Sequence, residues 1–268
     1  MPFVDSGAAH IAYSVAGDGP PVLLLHAGVT DRRSWRPLIE HLGPGYRTVA
    51  YDRRGFGETT YEAEPFREMD DALAVLDAED VESAVVIGAS NGGQRAIAMA
   101  LAHPERVRAL ILIGAGVSGA PDEDPTTLAV PVQRLYAAYE AAEEGDDLDE
   151  LNRVEAHAWL DGWAAEEGRV TGPIRELFLD MNGIALRASD PGPEERLPPA
   201  WDTLGSIGAP TLVLCGDLDV LSIPLSEHLA AEIPGARYEE LVGTGHLPHL
   251  EGHARALDVI RTFLAEVT

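Results

Sequence analysis

The stretch VVIGASNGGQRAIAMALAHPERV, residues 85–107, decides the fold. A short apolar run ends in small residues, Ser90 stands between glycines, and a helical pattern follows. Residues 88–92 spell G-x-S-x-G at a predicted strand-to-helix junction, a tight turn that projects the serine hydroxyl above a sheet. Glycines two residues before and after Ser90 remove side chains that would collide. The pattern favours Ser90 as a nucleophile over the alternative, a serine that only caps a helix.

The chain on either side of this stretch alternates between predicted strands and helices. Interior strands are continuous apolar runs, which is typical of a parallel sheet covered on both faces. The predicted strands are a hairpin over 3–17 and runs at 21–28, 47–58, 83–90, 108–114, 209–217 and 237–243. The predicted helices are 34–42, 66–81, 91–102, 225–233 and 253–267.

The segment 117–205 breaks the alternation. It contains several helical patterns and many acidic residues but no convincing strand. The simplest interpretation is an α/β core domain, residues 1–116 and 206–268, with an inserted helical cap of about ninety residues. We expect this cap, 117–205, to act as a lid that excludes water and selects substrate size.

A base for Ser90 is predicted at the end of the last strand. His246 follows that strand directly in a Gly-rich turn, whereas His249 is expected to cap or pack at the start of the final helix. The spacing of His246, His249 and His253 could suggest metal ligands. Pro248 and Gly252 interrupt any common helical face, so no metal site is predicted.

The base requires a carboxylate to set its tautomer, and the preceding strand ends in two candidates. Asp219 lies deeper in the loop and is preferred, with Asp217 as the alternative or as a turn former. The oxyanion donors are expected to be the backbone N–H of Asn91 and that of Gly28 or Val29, with Gly28 favoured.

Composition excludes several classes of function. The net charge of −26 argues against nucleic acid and anionic membranes as partners. All 19 basic residues are arginine, and without lysine neither a Walker phosphate loop nor Schiff-base chemistry is available. The single cysteine, Cys215, excludes an internal disulfide. With no signal-peptide pattern or long apolar run in the sequence, it favours a cytoplasmic protein.

These motifs together resemble the α/β-hydrolase superfamily, in its subset with a helical cap. The resemblance rests on LLLHAGVTDRRSW, YDRRGFGET, GASNGG, GDLDVLSIP and GTGHLPHLE, and covers nearly the whole chain. Ala27 stands where the family usually has glycine in its oxyanion segment. The resemblance implies a mostly parallel eight-stranded sheet, structural roles for Asp52, Arg54 and Gly55, an acid at Asp219 and a base at His246.

The resemblance also implies an activity. A serine nucleophile, rather than aspartate, disfavours dehalogenase and epoxide hydrolase chemistry and favours hydrolysis of an ester or lactone through an acyl-enzyme. Small bacterial esterases and enol-lactonase-like enzymes are the most similar group. Alternatives on the same residues are a C–C bond hydrolase and a cofactor-free haloperoxidase or perhydrolase. A ligand sensor without turnover is a third reading.

No cofactor is expected, and the acidic surface mildly favours a small neutral substrate. The oligomeric state is not predicted. Apolar residues of the cap at helical spacing are more often core than pocket, so only some are expected to touch substrate. The candidate substrate-binding residues are Val29, Trp159, Trp163, Phe178 and Met181.

Overall fold

Nine strands form one sheet in the computed structural model, which describes residues 2–121 and 124–268. The strands are β1 Phe3–Ser6, β2 Ala9–Ala16, β3 Pro21–Leu25, β4 Arg47–Tyr51, β5 Thr60–Tyr61, β6 Ala84–Ala89, β7 Val107–Ile113, β8 Thr211–Gly216 and β9 Arg237–Leu241. Their order is β1-β2-β4-β3-β6-β7-β8-β9, with β5 beside β2. Pairing is antiparallel at β2 and parallel from β4 to β9.

The helices alternate with these strands. They are α1 Arg36–Leu42, α2 Glu68–Ala78, α3 Asn91–Ala102, α4 Val130–Glu143, α5 Leu148–Glu155, α6 Pro173–Leu186, α7 Ile223–Glu232, α8 Pro248–Glu251 and α9 Ala254–Val267. None of the helices in the described part of the chain is long and apolar enough to cross a membrane.

Side chains of the central strands alternate between two apolar layers because successive residues of a strand point to opposite faces. Leu23 and Val86 pack in the layer that includes residues of α2, α3 and α7. Leu24 and Ile87 pack in the opposite layer, with residues of α1, α8 and α9. Every residue of β6 and of β8 is buried, as the continuous apolar runs predict.

The prediction of a mostly parallel α/β-hydrolase sheet is confirmed, with one added strand. The two-residue β5 lies in the turn after β4 and was not predicted, since two residues carry no alternating pattern. Buried ions hold this turn: Asp52 accepts from the N–H groups of Arg32 at 2.9 Å and Glu58 at 2.8 Å. Arg54 donates from Nε to Asp71 at 2.9 Å.

Between β7 and β8 the described chain is helical and contains no strand. Helices α4 and α5 and the segment after them share a separate apolar cluster, which includes Leu135, Leu151 and Trp163. Val117 and Leu204, near the two ends of the insertion, belong to the core layer of the sheet. The domain division at 117 and 205 remains a prediction.

Candidate active site

Ser90 occupies a strained turn between β6 and α3. Its φ of 52° and ψ of −116° lie in a region that residues other than glycine rarely adopt. Its N–H donates to the carbonyl of Ile113 at 2.8 Å, and its own carbonyl accepts from Gly116 and Gln94, each at 3.1 Å. The hydroxyl makes no capping hydrogen bond, so its side chain does not cap α3.

Close backbone packing explains the glycines of this turn. A side chain on Gly88 would place its Cβ 2.5 Å from the carbonyl oxygen of Gly92. A side chain on Gly92 would meet the carbonyls of Leu25 and His26, at the end of β3. The turn is thereby seated directly against the loop that follows β3, where an oxyanion donor is predicted.

His246 and Asp219 form a buried pair at the same edge of the sheet. The imidazole Nδ1 lies 2.6 Å from Oδ2 of Asp219, and the two side chains are 3% and 0% exposed. With the carboxylate ionised, Nδ1–H donates to it and the lone pair is on Nε2. Nε2 is buried and has no hydrogen-bond partner within residues 2–121 and 124–268. It is therefore free to accept a proton.

Asp217, the alternative acid, has a different partner. Its Oδ1 accepts from the N–H of Gly243 at 2.7 Å and so holds the turn after β9. Asp219 itself starts a turn, in which Ser222 donates its N–H to the Asp219 carbonyl at 2.9 Å. The structure brings Asp219, and not Asp217, to His246.

Gly114 connects the pair to the Ser90 turn. It follows Ile113, the residue that accepts from the Ser90 N–H, and has a φ of 50°. A Cβ on Gly114 would lie 2.9 Å from Nδ1 of His246 and 3.2 Å from Oδ2 of Asp219. The ends of β6, β7 and β8 therefore assemble one site.

Gly28 and Asn91 lie side by side at this site. A Cβ on Gly28 would be 3.7 Å from the Cβ of Asn91. As the first residue of α3, Asn91 has an N–H without an acceptor in its own helix. The Gly28 N–H likewise donates to no atom of the described chain. Two free donors thus stand beside the Ser90 turn, as an oxyanion site requires.

Arg53 and His26, which the sequence analysis did not single out for function, support both donors. His26 donates from Nδ1 to the Ala27 carbonyl at 2.8 Å and accepts at Nε2 from the Arg53 N–H at 3.1 Å. Arg53 donates to the Ala27 carbonyl at 3.2 Å and to Oδ1 of Asn91 at 2.6 Å. In a trans peptide the C=O and N–H point oppositely, so holding the Ala27 carbonyl directs the Gly28 N–H.

Charge and burial fix the protonation of these two supports. Burial, reinforced by the charge of Arg53, holds the pKa of His26 well below its usual range, so the ring stays neutral. Burial lowers the pKa of Arg53 to about 10, which leaves the guanidinium charged at neutral pH. His26 is therefore a fixed neutral linker and Arg53 a fixed cation.

Trp159 is the cap residue that contacts the candidate base. Its indole lies over the imidazole of His246, with 4.8 Å between ring centroids. Trp159 stands in a π-helical segment, Ala156–Gly162, a rare conformation often found at functional sites. Asp161 of this segment accepts from the N–H groups of Gly168 and Val170 at 2.7 and 2.8 Å, which fixes its end.

An ion pair fastens the cap to the loop that holds His246. Arg169 donates to both carboxylate oxygens of Glu251, at 2.7 and 2.8 Å. Glu251 also accepts from the N–H of Gly245 at 3.0 Å, next to His246. Such a bidentate pair adds geometric specificity as well as energy.

The other predicted substrate-binding residues are placed differently. Trp163 is 2% exposed and packs against Tyr136, Tyr139 and Trp159 inside the cap. Phe178 and Met181 are fully buried in the apolar layer between cap and sheet. Val29 is half-buried at the edge of that layer, one residue after Gly28.

His249 packs, which is one of its two expected roles, but it does not cap the final helix. It lies in the short helix α8, fully buried and stacked on Trp35 with 4.1 Å between ring centroids. The residue that caps the final helix is His253, whose side chain accepts from the N–H of Ala256. No group of three or more His, Cys, Asp or Glu side chains in the described residues could hold a metal ion.

The buried His249 predicts a pH dependence of stability. Burial, with the nearby His246, lowers its pKa from 6.5 to about 3. Below pH 6.5 the unfolded chain therefore binds a proton that the folded chain does not, and stability falls as pH falls. Between pH 6.5 and 5 this costs about 2 kcal/mol.

The His249→Phe variant keeps the stack on Trp35 and removes the titrating group. We expect its free energy of unfolding, relative to the unmodified chain, to rise by about 2 kcal/mol between pH 7.5 and pH 5. Urea unfolding at both pH values measures this difference. Parallel pH profiles of the two proteins would contradict the assignment.

Comparison with known proteins identifies the family. The model of the alpha/beta hydrolase family matches residues 22–259, and the chain belongs to that family. It is 31% identical to 2-hydroxymuconate semialdehyde hydrolase of Pseudomonas sp. (strain CF600), over 98% of this chain and 89% of that protein.

Two solved structures extend the comparison. A thermophilic esterase from Thermogutta terrifontis aligns with a TM-score of 0.77 and 25% identity, covering 99% of this chain and 98% of that one. Est816, an N-acyl homoserine lactone degrading enzyme, aligns with a TM-score of 0.75 and 25% identity, over 98% and 100%. The relatives therefore include an esterase, a lactone-degrading enzyme and a semialdehyde hydrolase.

Proposed function

We propose that the protein is a serine hydrolase that cleaves a carboxylic ester or lactone through an acyl-enzyme. Ser90 is the nucleophile, His246 the base and Asp219 the residue that orients the base. The N–H groups of Gly28 and Asn91 form the oxyanion hole. The observation that carries the proposal is the buried Asp219–His246 pair, which packs against Gly114, the residue after the Ile113 carbonyl that holds the strained Ser90 turn.

The reaction follows from these roles. The Ser90 oxygen attacks the substrate carbonyl while His246 Nε2 takes its proton, and the two N–H groups stabilise the oxyanion. Collapse breaks the bond to the alcohol, which leaves with the proton from His246. Water then attacks the acyl-enzyme with His246 again as base, which releases the acid and restores Ser90. Trp159 over the imidazole limits the access of bulk water to the base.

A substrate panel tests the proposal. We expect hydrolysis of p-nitrophenyl esters or of simple lactones, with stoichiometric labelling of Ser90 by a fluorophosphonate. Labelling without turnover on any substrate would instead indicate a sensor. A faster reaction with peroxide present, and peracid as product, would favour the perhydrolase alternative.

A C–C bond hydrolase is the second candidate. It is supported by the 31% identity to 2-hydroxymuconate semialdehyde hydrolase over nearly the whole chain. The same nucleophile, base and oxyanion donors would serve a substrate whose leaving group is carbon. Dienoate ring-cleavage products belong in the panel, and a preference for them over esters by kcat/KM would select this activity.

Arg53 is a positioning residue in this proposal, and its removal has a defined expected effect. Arg53→Met removes the Arg53 donors to the Ala27 carbonyl and to the Asn91 side chain, so both oxyanion donors lose part of their support, while His26 still donates to Ala27. We expect kcat to fall by about 10²-fold, comparable to losing one oxyanion donor, with a smaller change in KM. Steady-state kinetics with active-site titration measure both constants.

Arg54→Met is the matched control for that variant. Arg54 is equally buried and pairs with Asp71 and Glu64, but it touches neither oxyanion segment. We expect the control to lose stability while each correctly folded molecule keeps its kcat. Equal losses of kcat in both variants would indicate that Arg53 acts only on the fold.

A further inference from the structure

A cavity of about 410 Å³ opens beside the two proposed oxyanion donors. Gly28 and Asn91 form one side of it, and two buried arginines, Arg53 and Arg95, form another. Opposite them lie the end of α6 and the segment that returns from the cap, which carries Glu194. Phe56 and Phe66 supply its apolar walls.

The two arginines share a single buried carboxylate. Glu68, 5% exposed, is an ion-pair partner of both Arg53, at 3.1 Å, and Arg95. Arg53 also donates to the Ala27 carbonyl and to Oδ1 of Asn91. Arg95 is completed by Glu194, whose two oxygens accept from its Nη2 at 2.9 and 3.1 Å. Without Glu194, the buried group of two arginines and Glu68 carries one net positive charge.

Glu194 differs from the rest of the cluster in its exposure. Its side chain is 33% exposed, whereas those of Arg53, Arg95 and Glu68 are 10% or less. Its backbone is held independently, because Glu195 donates to the Phe66 carbonyl at 2.8 Å and Phe66 donates to that of Pro193 at 3.2 Å. The carboxylate can therefore rotate toward solvent without movement of the chain. When the Glu194 carboxylate turns away, the donors of Arg95 that it occupied can bind the carboxylate of a ligand.

We propose that this cavity binds a carboxylate group of the substrate, which takes the place of Glu194 on Arg95. The proposal rests on the proposed function and narrows its substrate class to esters or lactones that carry an acid group. Arg95 is one helical turn beyond Asn91, and its Nη1 donates to the Asn91 carbonyl at 3.3 Å. The guanidinium of Arg95 therefore lies beside the Asn91 backbone, where an acid group on a short acyl chain of the substrate can reach it.

Burial and charge both favour this exchange. Desolvation is the main reason that the pKa of Arg53 and that of Arg95 are each lowered to about 10, so a well-placed anion is stabilising there. The net charge of −26 acts in the opposite direction at long range, which favours neutral substrates. Salt screens the attraction between a bound anion and the buried arginines less than it screens the repulsion from the surface carboxylates. We therefore expect an anionic substrate here, and not the neutral one that the net charge suggested.

A pair of substrates that differ only in the charge of the acid group tests the proposed carboxylate site. The mono-4-nitrophenyl ester of adipic acid carries the acid group five bonds from the reacting carbonyl, and its methyl ester is the neutral match. For Glu194→Gln we expect kcat/KM on the acid substrate to rise about tenfold, because the competing carboxylate is gone, and on the neutral substrate to stay within about twofold. Arg95→Gln should lower kcat/KM on the acid substrate about tenfold more than on the neutral substrate.

Glu195→Gln is the matched control, since Glu195 is the next residue and pairs with the exposed Arg67 rather than with Arg95. It should leave both substrates unchanged. Equal effects of Glu194→Gln on the acid and neutral esters, or no effect on either, would overturn the proposal. A merely structural role for Glu194 would move both substrates together.

A binding measurement separates this proposal from the proposed function. In a Ser90→Ala background, calorimetry with monomethyl adipate should give about tenfold tighter binding when Glu194 is also changed to Gln. Dimethyl adipate should show no such gain. If neither ester is hydrolysed by the unmodified chain but this preference holds, the proposed chemistry fails and the anion site stands. If the esters are hydrolysed but Glu194→Gln gives no preference for the acid, the proposed chemistry stands and the anion site fails.

Discussion

Ser90→Ala is expected to lower kcat by about 10⁵- to 10⁶-fold and to abolish fluorophosphonate labelling. In the proposed mechanism, the variant removes the oxygen that forms the acyl bond, and the remaining donors and base then act on bound substrate without a nucleophile. The fold should persist, because the turn is held by backbone hydrogen bonds to Ile113, Gly116 and Gln94 rather than by the hydroxyl. Active-site titration and intact mass after labelling measure the loss.

Ser90→Gly tests the backbone strain of the turn separately from the loss of the hydroxyl. Glycine adopts the positive φ of this turn without strain, so we expect a gain of about 1 kcal/mol in the free energy of unfolding together with the same loss of activity. An active and stabilised protein would show that the turn is strained for a reason other than presenting a nucleophile. Labelling that survives in both variants would place the nucleophile elsewhere.

Asp219→Asn is expected to lower kcat by about 10⁴-fold, by analogy with the corresponding change in a serine protease. The amide can no longer stabilise the imidazolium that forms as Ser90 attacks, and it no longer holds the proton on Nδ1. Because the pair is almost fully buried, solvent cannot replace the lost charge. The comparison requires kcat across a range of pH, with active sites counted in each preparation.

Asp217→Asn provides the control on the same loop. Its Oδ1 accepts from the Gly243 N–H, and an asparagine oxygen can accept that bond equally well. We expect kcat within about threefold of the unmodified chain, far from the Asp219→Asn value. Losses of similar size in both variants would show that the loop, and not one carboxylate, is what matters.

The parts of the site that lie at strand ends could be predicted from sequence. Continuous apolar runs mark the parallel strands, and each strand delivers its following residue to one edge of the sheet. Ser90, Asp219 and His246 follow β6, β8 and β9 within a few residues, so chain order alone suggested their meeting. The glycines around Ser90 added a packing reason that the backbone contacts at Gly88 and Gly92 explain.

Contacts between distant side chains left no such signal. Arg53 lies 27 residues from His26 and 38 from Asn91, and nothing in its local sequence distinguishes its role from that of Arg54. Both arginines belong to one turn motif, YDRRGFGET. Long-range ion pairs such as Arg95 with Glu194, 99 residues apart, depend on how the cap returns to the core, which periodicity does not encode.

The capping role considered for His249 fails for a local reason. The chain makes one short helix, α8, before a left-handed Gly252 and the final helix, so the N-cap position falls on His253. In the cap, Trp159 and Trp163 are four residues apart and would share one face of an α-helix. The two indoles do contact each other, with 5.2 Å between ring centroids; Trp159 also lies over His246, whereas Trp163 is buried inside the cap.

A π-helical turn holds one residue more than the α-helical turn it replaces. Removal of one residue early in Ala156–Gly162 would restore α-helical winding and rotate the indole by about 100° away from the imidazole. In this family member, the contact between the Trp159 indole and His246 thus depends on the length of one cap segment as much as on its composition. Insertions and deletions at that segment are a route by which new substrate ranges could arise while the nucleophile, acid and base stay unchanged.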